Sequence, residues 1–446
     1  MKVKKLQTVL TIIISAILAS GTALAAPEVS MESGVKVEIP IGDTTDDDSL
    51  LHTYTKIDLE GELTETVWGK LGLDFYLQDT TARPWASLWD TKTTAATDQA
   101  IETVVDEAYL FVMEPYGLPL DLKVGRQHVN MGRGDGVTTL NLFAPASLRY
   151  ATELSENMPI GGVRTDWYLG DYTITGIVQT KLTPAAYSER VQNFYLDIAA
   201  EELKPLLEAF GGGLPVNPIP SVVTPKLGKD DTDLGVGVAV GTNYFGYDLD
   251  LVYQHGYVAI PTLKAVAVEP ADGYVNLLLT QGYLPMDKVG LTMAGAVRDA
   301  GVWAEFTYNR PDQDFFALDL LPKETRPSDA AYLTWLLGAD YFFANGAYAN
   351  LQYVKGLPQE YTEDMLNDYL VVDAYQTFKS DMLKVEGQLM VCLGDGSMAV
   401  IPGVSYKLND DLTLTAKAIK FLGDSNETLG RMEPLSTVAL GLNWAF

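Results

Sequence analysis

The sequence predicts an all-β fold: a single antiparallel barrel that crosses a membrane with about 16 to 18 strands, 18 favoured, and carries one long, partly helical loop. Three observations predict it. Apolar residues recur with period two along most of the chain, no uninterrupted apolar run after the first 25 residues is long enough for a spanning helix, and short turns alternate with long connections.

The chain begins with Lys2, Lys4 and Lys5, an apolar stretch from Val9 to Leu18, and small residues ending Ala23-Leu24-Ala25. A charged region, an apolar core and an A-x-A site make residues 1–25 a secretory signal peptide, leaving 26–446 as the barrel. The expected strands then follow in order: 35–41, 50–60, 65–77, 103–114, 119–128, 160–169, 172–182, 233–244, 247–257, 287–297, 301–310, 332–344, 347–356, 368–379, 382–393, 397–407, 411–421 and 436–446. In the third, Leu71, Leu73 and Phe75 oppose Lys70, Asp74 and Tyr76. In the eleventh, Val302, Ala304, Phe306 and Tyr308 oppose Trp303, Glu305, Thr307 and Asn309. In the last, Val438, Leu440, Leu442, Trp444 and Phe446 oppose small or polar residues. Short turns are expected near 61–64, 115–118, 170–171, 245–246, 298–300, 345–346, 380–381 and 408–410. Long loops are expected at 78–102, 129–159, 183–232, 258–286, 311–331, 357–367 and 422–435. A soluble sandwich has no reason to sort its loops by side, whereas a membrane barrel does.

The backbone supplies the physical reason. In hydrocarbon every N–H and C=O needs an internal partner, so strands persist there only in a closed barrel without an edge. A Lys or Arg turned outward at mid-membrane costs roughly 2–4 kcal/mol. Lys56, Lys70, Lys384 and Lys417 all fall opposite the apolar set, as expected for a wet interior.

Of the 446 residues, 31 are Lys or Arg and 59 are Asp or Glu, a formal net charge of −28 that repels phosphate backbones and argues against a nucleic-acid partner. Cys392 is the single cysteine, and the three histidines (His52, His128 and His255) are far apart in sequence, so no metal centre or cofactor is expected. Asp43 with Asp46, Asp47 and Asp48, and Asp230 and Asp231 with Asp233, form acidic clusters without the D-x-D-x-D-G spacing of a calcium loop.

Leu122 to Pro145 reads LKVGRQHVNMGRGDGVTTLNLFAP and is followed by Pro159-Ile160-Gly161-Gly162-Val163-Arg164. Gly125-Arg126-Gln127, the turn around Gly132, Gly134, Asp135 and Gly136, then Asn141-Leu142-Phe143 and Pro145 resemble a family of porin-like outer-membrane barrels. Members read G-R-Q, then W-G, then N-x-F-x-P, and the family is similar in style to the alginate-export barrels. The resemblance spans about residues 119–185 and the terminal strand, with Met131 where the family has Trp. Ending on Phe446 likewise resembles the closing strand of Gram-negative outer-membrane barrels, where a terminal aromatic is part of the assembly signal. The resemblance implies outer-membrane lipids and the barrel assembly machinery as partners. It also implies a barrel that lets something through; it names no solute, and monomer and homo-oligomer both remain open.

The candidate pore-lining residues are Lys56, Asp58, Lys70, Asp74, Lys123, Arg126, Arg164, Asp166, Asp248, Asp250, Glu305, Lys384, Glu386 and Lys417. Their signs nearly balance, so the whole-chain charge alone tilts the expectation toward cations or neutral solutes. Arg126 reaches the lumen if Gly125 marks a bulge; otherwise it lies at the lipid headgroup rim. The segment 183–232 is the candidate constriction loop, with a helix-period patch at 199–210 bearing Glu201, Glu202, Lys204 and Glu208. The expected class is a channel for passive diffusion of small hydrophilic solutes or ions, and the alternative is a non-conducting surface receptor, adhesin or structural barrel. An enzyme is not expected, because His128 has no local Ser partner from which to build a triad.

Overall fold

The computed structural model describes residues 27–42, 49–78, 82–84, 101–148, 152, 156–188, 190–191, 194, 216–223, 234–272, 274–312 and 330–446. The expected signal peptide, both acidic clusters (apart from their flanks) and the 199–210 patch lie outside these residues.

Eighteen antiparallel strands form the wall. They are β1 (Glu28–Pro40), β2 (Leu50–Thr64), β3 (Val67–Gln78), β4 (Ile101–Met113), β5 (Leu120–Gln127), β6 (Ile160–Leu169), β7 (Tyr172–Lys181), β8 (Gly235–Tyr244), β9 (Tyr247–Ala271), β10 (Tyr274–Val297), β11 (Ala300–Pro311), β12 (Tyr332–Phe342), β13 (Tyr348–Lys355), β14 (Asp368–Phe378), β15 (Leu383–Cys392), β16 (Met398–Lys407), β17 (Leu412–Leu422) and β18 (Thr437–Ala445). Each pairs with its neighbour in sequence, and β1 pairs with β18 from Glu32↔Ala445 to Pro40↔Thr437. The seam extends through Phe446, whose N–H donates to the Met31 carbonyl at 2.8 Å. Closure leaves the wall no unpaired edge, which is what a hydrocarbon surround demands.

The wall is inside-out relative to a soluble sandwich. On β9 and β11, Leu251 is 57% exposed and Phe306 51%, while between them in parity Glu305, Thr307 and Gln254 are fully buried. Apolar side chains face out and polar ones face in, as the alternation predicts. No helix among the described residues is long and apolar enough to cross a membrane.

Three expectations are corrected. Residues 258–286 are not a loop, because the β9–β10 ladder continues to Ala271↔Tyr274 with register shifts at Tyr257/Pro261 and Leu263/Ala265. Prolines 261, 270 and 285 disguise this hairpin in the sequence, since proline removes a ladder donor and reads as a breaker. Strand β1 starts at Glu28, seven residues before expected, because its lumen side carries Ser30, Glu32 and Gly34 rather than a recognisable polar run. No register shift occurs at Gly125 itself. The irregularities sit on the flanking ladders, at Leu71/Leu73 in the β3–β4 pair and at Gly161/Gly162 in the β6–β7 pair. Gly125 is required for a different reason: its φ is 135°, and a Cβ there would stand 2.1 Å from the Ala108 carbonyl oxygen.

Candidate functional site

The segment after β5 turns into the barrel. Residues 129–145, the part of the chain that resembles the porin-like family, lie against the inner faces of β8 to β13. Strand parity explains the anchorage. Asp250, Gln254, Lys288, Thr292, Glu305 and Gln352 all sit on the inward parity of successive strands, so the wall offers the loop a polar ladder.

Glu305 is the centre of the clamp. Its carboxylate accepts from the backbone N–H groups of Arg133 (2.5 Å), Gly134 (2.7 Å) and Thr139 (2.7 Å) and from the hydroxyls of Thr138 (3.0 Å) and Thr139 (2.7 Å). A buried carboxylate is tolerable only when saturated in this way. The Arg133 guanidinium forks onto Asp250 at 2.6 and 2.9 Å, and Thr292 donates to the same oxygen at 2.8 Å. The buried Lys288 ammonium donates to the Thr139 carbonyl (2.8 Å) and to Asn141 Oδ1 (2.6 Å). At the tip, Asn350 donates to Asp135 at 2.6 Å, and Gln352 brackets the Asp135 backbone at 2.7 and 3.1 Å. Apolar contacts complete the fit. Phe143 and Met131 pack on Gly237, where a Cβ would meet them at 2.8 and 2.9 Å, so only glycine lets the loop approach this closely.

A second segment enters from the far end of β7. Ala185 N–H bonds the Ala259 carbonyl at 3.0 Å, and Ala186–Ser188 pairs antiparallel to Ala82–Pro84 and parallel to Ser147–Leu148. Arg190 then reaches the opposite wall, donating to Thr437 Oγ1 at 2.7 Å and to the Pro434 carbonyl. Tyr187 and Val191 pack with Leu336, Tyr369, Ile401 and Ile419. The described start of 183–232 therefore lies inside the barrel; Glu201, Glu202, Lys204 and Glu208 lie outside the described residues.

The rest of the lumen is partly open. A cavity of about 300 Å³ lies against the inner faces of β1, β2 and β15 to β18, lined by Glu32, Lys36, Tyr54, Lys56, Glu386 and Lys417 together with Thr152 and Glu156 from the incoming segment.

The structure thus divides the sequence-derived candidates. Asp250 and Glu305 hold the loop. Lys56, Glu386 and Lys417 line the open cavity, with Lys384 in contact with Glu386 at 2.5 Å. Between β2 and β7 the candidates pair locally: Lys70 with Glu107 at 2.8 Å, Arg164 with Asp166 at 2.9 Å, Asp74 with the Tyr76 hydroxyl at 3.0 Å, and Lys123 over the Tyr109 ring at 3.7 Å. Asp248 is tied to Asn243 at 2.9 Å beside a short turn, and Asp58 lies against Gly72. Arg126 keeps the parity of Val124 and donates Nε to the Asp106 carbonyl at 3.1 Å, joining neither the clamp nor the cavity. Sequence reasoning missed Arg133, Lys288, Gln254, Gln352 and Lys36. For Lys288 the signal is present, since it shares the polar parity of Gly290 and Thr292. For Arg133 none is, because its partner lies 117 residues away. Sequence reasoning also missed that each histidine stands beside a carboxylate: His52 by Glu38, His128 by Asp106 and His255 by Asp287.

Outside the wall, one turn carries a strongly shifted acid. Burial opposes the charge of Asp395, but hydrogen bonds from Ser397 and Thr428 outweigh it and hold the carboxyl below the usual carboxylate range. The Ser397 bonds, at 2.6 and 2.9 Å, tighten the β15–β16 turn itself, and the Thr428 N–H donating to Asp395 at 2.7 Å fastens that turn to the 423–436 loop.

No protein-family model matches the chain, and no curated protein does. Among solved structures, an engineered variant of the Rhodopseudomonas blastica porin matches with a TM-score of 0.42 at 12% identity, covering 94% of this chain and 100% of that one. The trimer form of OmpT from Vibrio cholerae matches with a TM-score of 0.41 at 10% identity, over 95% and 100% of the two chains. Salmonella typhi OmpF in complex with daunomycin gives 0.39 at 9% identity, over 96% and 99%.

Proposed function

We propose that the chain is an outer-membrane channel for passive diffusion of small hydrophilic solutes. The observation that carries this reading is the combination of a closed wall, apolar outside and polar inside, with a loop clamped to one side of the lumen and a polar cavity of about 300 Å³ beside it. A sealed receptor or structural barrel has no use for a carboxylate ladder that holds one loop to one side. In this reading Lys56, Glu386 and Lys417 face the passage, Glu305 and Asp250 fix its width, and the β2–β7 pairs line its remaining wall. The β1–β18 seam ending in Phe446 is the segment offered to the barrel assembly machinery, and outer-membrane lipids cover the apolar face.

Reconstitution of the full chain in planar bilayers tests the proposal. Stepwise conductance increments on insertion are expected. Insertion confirmed by protease protection, without any conductance, would replace the channel with the sealed-barrel reading.

A further inference from the structure

We infer that the tip of the clamped loop and the wall beside it form a station for a small monovalent cation, held by Asp135, Asp373 and the side-chain oxygen of Asn350. The inference deepens the channel reading and rests on it. Register sets the geometry. Asp340 on β12, Asn350 on β13 and Asp373 on β14 are direct cross-strand partners, and Gln388 on β15 continues the row. All four share the inward parity of Gln352, so neighbouring side chains start about 5 Å apart on the lumen face.

The loop brings Asp135 onto this row. Its backbone is held by Gln352, which also accepts from the Trp303 indole at 3.1 Å, and its carboxylate accepts from Asn350 Nδ2 at 2.6 Å. An ionised carboxylate can only accept. The amide nitrogen of Asn350 therefore faces Asp135, and its Oδ1 is left over, buried and without a hydrogen-bond partner among the described residues. Neither cross-strand neighbour can donate to it, since both are carboxylates. The Tyr348 hydroxyl donates to Asp340 at 3.1 Å, and the Gly301 N–H donates to the same side chain at 3.1 Å, so Asp340 is tied to its own stretch of wall. Asp373 is not. The charges that act on it are Asp135, which repels, and Lys417, whose attraction is weaker; Lys384 is taken by Glu386.

Two carboxylates and a stranded amide oxygen thus meet without a donor between them, and a cation supplies what all three lack. It is an ion in transit and not a resident metal. Calcium needs about six to eight converging oxygens, and no group of three acidic, histidine or cysteine side chains among the described residues could hold a metal ion. An ion held by so few protein oxygens keeps much of its water and leaves again, as conduction requires. The position suits this role: Asp135 is exposed to the lumen, and β14 stands between the clamped loop and the open cavity.

The test is the reversal potential of the reconstituted full chain in unequal KCl, for the wild type, Asp373→Asn and Asp410→Asn. The wild type is expected to pass potassium in preference to chloride. A carboxylate about 5 Å from a passing ion in a watery lumen changes its occupancy by about fourfold. Asp373→Asn should therefore lower the potassium-to-chloride ratio by about that factor, and Asp373→Glu should retain it. Asp410 is exposed in the turn between β16 and β17, and its replacement should leave the ratio unchanged. A wild type that prefers chloride overturns the inference whether or not the variants fold. So does an unchanged ratio in Asp373→Asn, or an equal fall in Asp410→Asn, which would trace the preference to the charge of the whole molecule. All three results leave the channel reading standing. A barrel that inserts and passes no current removes the channel reading and this station with it.

Discussion

Replacing Glu305 with alanine should release the 129–145 loop from the wall. The carboxylate accepts from five donors, three of them backbone amides of the loop. Each donor stranded in a dry site costs about 1–3 kcal/mol, but these lie beside a wet lumen and regain water once the loop moves. The net loss is then about 3–5 kcal/mol, the range for removing one partner of a buried charged contact. A loss of about 4 kcal/mol shifts the clamped-to-free ratio by nearly a thousandfold. Lys288 and Asp250 still hold the loop at Thr139, Asn141 and Arg133, so partial release is expected, not ejection. The Arg133–Gly134 peptide bond, now protected by hydrogen bonds on both residues, becomes a trypsin site. Single-channel recording should show larger and noisier steps, and limited trypsinolysis should cleave after Arg133 while the barrel remains heat-modifiable on gels. Unchanged conductance together with a trypsin-resistant Arg133 would refute the clamp.

Other perturbations follow from the same geometry. Phe306→Lys places an ammonium on the lipid face and should cost about 2–4 kcal/mol of stability in lipid vesicles, measured by urea titration of the folded band. Gly237→Val drives methyl groups into Phe143 and Met131, which lie within 3 Å of the Cβ position; overpacking of about 1–3 kcal/mol should displace the loop and expose Arg133 to trypsin as Glu305→Ala does. Asp395 has a folded pKa below its unfolded value near 3.9, so its contribution is complete above that value and is lost as pH falls through the folded pKa. Hydrogen exchange at the Thr428 amide should therefore stay protected at neutral pH and lose protection only in strong acid, and the Asp395→Asn variant should lack the acid-dependent component.

Much of the wall is legible in the sequence, because one period-two rule sets both the strands and their facing. Leu440, Leu442 and Trp444 could lie together only on a strand with one greasy side, and the seam with β1 places that side outward. The rule weakens where prolines 261 and 270 interrupt it and where β1 carries small inward residues, and there the strand limits were misplaced. The loop is a different case. Its sequence singled out residues 122–145 by resemblance, but Gly132 to Gly136 reads locally as an ordinary turn. What draws it inside is Glu305, Asp250 and Lys288, more than a hundred residues away: Glu305 and Lys288 act largely on backbone amides and a carbonyl that every residue possesses, and Asp250 on the Arg133 guanidinium. No local pattern encodes that pairing, and the polar composition of the wall becomes informative only after closure brings these strands around the loop.

The most direct test of the inside-out wall is a nitroxide scan along β17 from Thr413 to Ala418, in lipid nanodiscs and on a Cys392→Ser background. Labels at 414, 416 and 418 should collide with dissolved oxygen, as labels in acyl chains do, while those at 413, 415 and 417 should collide with a water-soluble nickel chelate. The two accessibilities should alternate out of phase from residue to residue. If the apolar positions are shielded from both reagents, as side chains packed between two sheets would be, the account is contradicted.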